Sequence, residues 1–72
     1  MYEVDAWYFI KRGKRSALGQ YRGLNKDTGL PEFFPVIFPH PVEGDDPLRA
    51  ILAPPDAKIR PIPPPDAMVV GG

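Results

Sequence analysis

The sequence predicts a mostly β protein with an extended proline-rich tail. Three observations carry this: period-two alternation near the start, an Asn/Asp/Gly turn cluster at 25–29, and prolines too frequent for helices. A small three-stranded antiparallel meander over residues 1–38, followed by an extended arm over 39–72 with little or no helix, is the expected organisation.

The first strand is read over residues 2–11. Tyr2, Val4, Ala6, Tyr8 and Ile10 share one face, and Glu3, Asp5, Trp7, Phe9 and Lys11 the other. Aromatic and β-branched side chains favour that assignment. Lys11-Arg12-Gly13-Lys14-Arg15 then reads as a charged turn. Residues 16–24 fit a second strand better than a helix. Gly19 and Gly23 would each cost about 1 kcal/mol inside a helix, whereas in a strand a glycine marks close approach of another backbone.

Asn25-Lys26-Asp27-Thr28-Gly29 is a hairpin signal, since Asn and Asp side chains bond nearby backbone and glycine accepts a left-handed conformation. The third run, Leu30 to Phe38, contains Phe33, Phe34, Val36, Ile37 and Phe38. Pro31, Pro35 and Pro39 exclude a helix and predict an edge strand.

Beyond Pro39 a loop is expected through Asp46. Residues 47–53 can form two helical turns, with Asp46 as N-cap and Pro47 at the first helical position. After Pro54-Pro55 the natural conformation is polyproline II. Pro54-Pro55-Asp56-Ala57-Lys58-Ile59 recurs as Pro64-Pro65-Asp66-Ala67-Met68-Val69. Each copy is suited to turning at its Asp and setting an aliphatic residue into a pocket, although a biased composition also produces such matches by chance.

Composition sets the functional class. Eleven prolines and seven glycines form a quarter of the 72 residues, yet the chain keeps one Trp, three Tyr and four Phe. A disordered linker would be poor in such side chains. A chain this short is also marginal as an independent core. With no cysteine, disulfides and thiolate metal sites are excluded. The expectation is therefore a non-enzymatic structural or accessory subunit that lies along a larger protein assembly. A virion is the preferred setting, with the chain a minor capsid, decoration or connector protein, and an intracellular multi-subunit complex is the other. Partner-binding candidates are Trp7, Tyr8, Phe9, Phe33, Phe34, Phe38, Leu52, Ile59, Ile62, Met68 and Val69.

Other chemistries find less support. No cofactor, metal or small-molecule substrate is expected. The single histidine, His40, lies between prolines with no partner to hold its tautomer, and the spacing of His40, Glu43, Asp45 and Asp46 matches no known metal-binding loop. The alternative reading is a nucleic-acid-binding β-module. Trp7, Tyr8 and Phe9 would stack bases while Lys11, Arg12, Lys14, Arg15 and Arg22 contact phosphates. The net charge of zero weighs against it. A third reading, an inhibitor or adaptor presenting its tail, rests on the basic-x-x-Pro-x-x-Pro pattern in Lys58-Ile59-Arg60-Pro61-Ile62-Pro63-Pro64. The opening residues lack the basic and apolar regions of a signal peptide, and no apolar run is long enough to span a bilayer, so a soluble chain is expected.

Overall fold

Alternating side chains and short turns build one antiparallel sheet in the computed structural model, which describes residues 2–64. Its strands are β1 (Trp7–Arg12), β2 (Arg15–Leu24), β3 (Pro31–Ile37), β4 (Ile51–Leu52) and β5 (Lys58–Ile62), in the order β4-β3-β2-β1-β5. The predicted meander is its centre. Five strands rather than three make up the sheet, because residues expected in the arm supply both flanks.

β1 and β2 pair from Trp7↔Gln20 to Arg12↔Arg15, leaving Gly13-Lys14 as a two-residue loop. The β2–β3 hairpin is closed by Asn25, whose Oδ1 accepts the Asp27 N–H at 2.9 Å and the Thr28 N–H at 3.0 Å. The Gly29 N–H bonds the Asn25 carbonyl at 2.8 Å, and Gly29 has φ +75°, a conformation that a side chain would strain. Its prolines fit β3 because Pro31 begins the strand and Pro35 falls where the register with β2 is irregular. β3 is nevertheless not the edge that its prolines predict. Glu32 and Phe33 pair with Leu52 and Ile51 of β4.

Two further expectations are corrected. The first strand begins at Trp7 rather than at residue 2. Asp5 adopts φ +73°, and its carboxylate accepts from Arg22 at 2.8 Å. That turn folds Tyr2 back onto the sheet, with its ring centroid 5.3 Å from Tyr8 and 5.4 Å from Tyr21. The helix over 47–53 is also absent. Asp46 does accept the Leu48 N–H at 2.9 Å, but the chain makes a single turn before entering β4. Ile51 packs against the core, Ala53 is buried, and the Ala53 N–H bonds the Pro31 carbonyl at 2.9 Å. A helix would give up those long-range contacts for local ones.

The core lies on one face of the sheet. Tyr8, Ile10, Ala17, Tyr21, Phe33, Val36 and Ala53 are buried there, with Tyr2, Ala6, Phe38, Ile51, Ala57 and Ile59 packed around them. Phe33 is fully buried at its centre. Tyr2, Tyr8, Tyr21 and Phe33 meet mostly edge to face, an arrangement worth roughly 0.5–1.5 kcal/mol per pair beyond the area buried. In place of polyproline II, residues 58–62 form β5 and pair with β1 throughout. The first copy of the repeated segment makes a turn, the Ala57 N–H bonding the Pro54 carbonyl at 3.0 Å, and delivers Ile59 to the core. Residues 65–69 of the second copy, Met68 and Val69 among them, lie outside the described residues. The radius of gyration is 11.7 Å, close to the ~11 Å of a folded chain of this length and far from the ~26 Å of an unfolded one.

Candidate interaction face

Side chains alternate across a strand, so the residues between the core positions of β1 emerge on the opposite, outer face. There Phe9 stands opposite Leu18 on one side and Arg60 on the other, and Leu18 stands opposite Ile37. Trp7 occupies the adjacent rung, between Gln20 and Ile62. Trp7 is 7% exposed although it is not part of the main core cluster. Phe9, Leu18, Ile37 and Ile62 are half-buried on the same face. The result is an apolar band running obliquely over four strands.

Charge is concentrated at one corner of this band. Lys11 pairs in register with Lys58, and Arg60 lies two residues from Lys58 on β5, on the same face. The Arg60 guanidinium carbon is 5.0 Å from the centroid of the Phe9 ring, a cation–π contact. Phe9, Lys11, Lys58, Ile59 and Arg60 line a shallow depression of about 360 Å³. Lys11 and Lys58 make no ion pair among the described residues.

The other basic residues singled out from the sequence are spread apart and mostly engaged. Arg12 pairs with Asp56 at 3.4 Å, Arg22 with Asp5 at 2.8 Å, and Arg15 with Asp45. Lys14 is exposed at the β1–β2 turn. Lys11 alone of that set lies on the outer band.

The apolar candidates divide between the two faces. Tyr8, Phe33, Phe38 and Ile59 belong to the chain's own core or pack on it, so little of them is left for a partner. The Tyr8 hydroxyl is held by the Glu3 N–H at 2.7 Å. Phe34 is half-buried, and Leu52 is 38% exposed on the short flank strand β4. Trp7, Phe9 and Ile62 are brought together on the outer face. Leu18 and Ile37 complete that face without having been picked out from the sequence, and Lys58 and Arg60, which the sequence offers only as part of a proline-rich docking pattern, join it through β5. The alternation Lys58-Ile59-Arg60 was the available signal, since two cations flanking a core isoleucine describe a strand with one charged face.

Near His40 the acids serve the loop. Asp45 accepts the Val42 N–H at 2.9 Å in addition to pairing with Arg15, and Asp46 caps the Leu48 N–H. No three His, Asp or Glu side chains converge to hold a metal among the described residues. No helix among the described residues is long and apolar enough to cross a membrane. The chain matches no protein-family model, no curated protein and no solved structure.

Proposed function

We propose that this chain is a soluble, non-enzymatic accessory subunit that docks on a larger protein assembly through the outer face of its sheet. A virion is the setting we favour, with the chain a minor capsid, decoration or connector component. The observation that carries the reading is the band of Trp7, Phe9, Leu18, Ile37 and Ile62, an apolar strip on the sheet face opposite the core. Covering the minor part of each side chain still open to water contributes roughly 0.5 kcal/mol, so Phe9, Leu18, Ile37 and Ile62 act as an anchor only together.

The non-enzymatic part of the proposal rests on the sequence, in which the single histidine, His40, stands between Pro39 and Pro41. The ends of the sheet support a role for the face rather than for edge-to-edge pairing. β5 carries Lys58, Arg60 and Pro61, and β4 is two residues long, both ordinary devices against strand addition.

The test is incorporation. A tagged copy expressed in its native host should co-purify at fixed stoichiometry with a high-mass particle. Phe9→Asp combined with Ile37→Asp should stay folded by NMR and drop out of that particle. Equal incorporation of the double variant and the native chain would rule the outer face out.

A further inference from the structure

Lys11 and Lys58 face each other directly across β1 and β5. At such positions Cβ atoms are about 4.5–5.5 Å apart, and like charges oppose pairing. Arg60 adds a third cation on the next rung, over Phe9. Asp56 borders a depression with Lys11 and Lys58 but pairs with Arg12. A glutamate in place of Lys58 would turn repulsion into attraction. The chain instead keeps a local conflict on its surface, the kind of rule-breaking that accompanies binding sites.

We infer that this corner selects the partner, and that the partner is a protein segment presenting carboxylates beside an apolar side chain. The inference rests on the docking reading above and specifies its chemistry. One carboxylate bridges Lys11 and Lys58, relieving their repulsion, and a second meets the outer edge of Arg60. The apolar side chain continues onto the band of Phe9, Leu18 and Ile37. A polynucleotide fits the same charges less well. Single-strand binders offer successive exposed rings to successive bases. Here Phe9 is flanked on its own rung by Leu18 and Arg60 rather than by a second ring, Trp7 is buried, and Arg12, Arg15 and Arg22 already hold aspartates.

The experiment is an NMR titration of the isotope-labelled full chain with three probes. These are a short peptide with leucines flanked by glutamates, the same peptide with glutamines, and an oligothymidylate of similar length. The acidic peptide should shift amides of β1 and β5 and weaken with added salt. Lys11→Gln with Lys58→Gln should weaken it about ten-fold. Lys58→Glu should abolish binding while raising the thermal midpoint of the free chain. A purely structural pair of lysines would not link those two changes. Equal binding of the glutamine peptide, tighter binding of the oligothymidylate, or no binding of the acidic peptide would overturn the inference. If the acidic peptide fails while Phe9→Asp with Ile37→Asp still releases the chain from its particle, the docking reading survives and only the acidic partner is wrong.

Discussion

Gly19 of β2 lies against Phe33 of β3 so closely that a Cβ on the glycine would stand 2.7 Å from the Cβ of the phenylalanine. The same atom would be 3.3 Å from Cδ1 of Ile10. A Cβ–Cβ clash cannot be relieved by rotating a side chain, so the strands must part. The absence of a side chain at Gly19 is thus what lets Phe33 reach the centre of the core.

Gly19→Ala should therefore destabilise the chain by about 1–3 kcal/mol, the usual range for overpacking. Thermal unfolding followed by circular dichroism would register this as a drop of roughly 4–8 °C for each kcal/mol. An unchanged midpoint would mean that the strands are less tightly held than the geometry implies.

Phe33→Ala removes the one fully buried large side chain among the described residues. The expected loss is about 3–5 kcal/mol, comparable with the whole stability of a small domain. Poor amide dispersion in the NMR spectrum of this variant is the predicted result, with Phe33→Leu recovering much of the native spectrum.

Ending the chain after Ala57 separates two descriptions of the C-terminal region. As an arm, its loss would leave a folded meander. As β5, it pairs with β1 and covers Ile10 with Ile59. We expect the truncated chain to lose cooperative unfolding in urea. A sharp transition with a native-like midpoint would refute that.

Lys58→Glu should stabilise the isolated chain by about 0.2–1 kcal/mol, because an opposed cross-strand pair becomes attractive. The gain should shrink in high salt, which screens exposed charges. Urea unfolding at two salt concentrations measures both effects.

Asn25→Ala tests the hairpin. Its Oδ1 accepts from two backbone N–H groups and its Nδ2 donates to Glu32 at 3.0 Å. Loss of this exposed network should cost roughly 1 kcal/mol, read as a lower urea midpoint with an unchanged m-value.

Some of the site could be read from the sequence, and some could not. Phe9 and Trp7 stood out because aromatic residues alternating with Tyr8 and Ile10 must fall on the face opposite them. Lys58 and Arg60 stand out only as part of a proline-rich pattern, because their place beside Lys11 depends on pairing with the far end of the chain. Tyr8 and Phe33 read as partner contacts when the sheet is taken as three strands, too few to enclose them. Once β4 and β5 are added, they are its centre.

Local chemistry in the sequence was enough to determine the central extended runs and the Gly13-Lys14 and Asn25–Gly29 turns, since each depends on neighbours a few residues away. Only the tertiary structure decided that Ile51 enters a strand rather than a helix, that Lys58–Ile62 completes the sheet, and which cations share a face. Those outcomes depend on burial and strand register between distant segments, and no short window of residues contains that information.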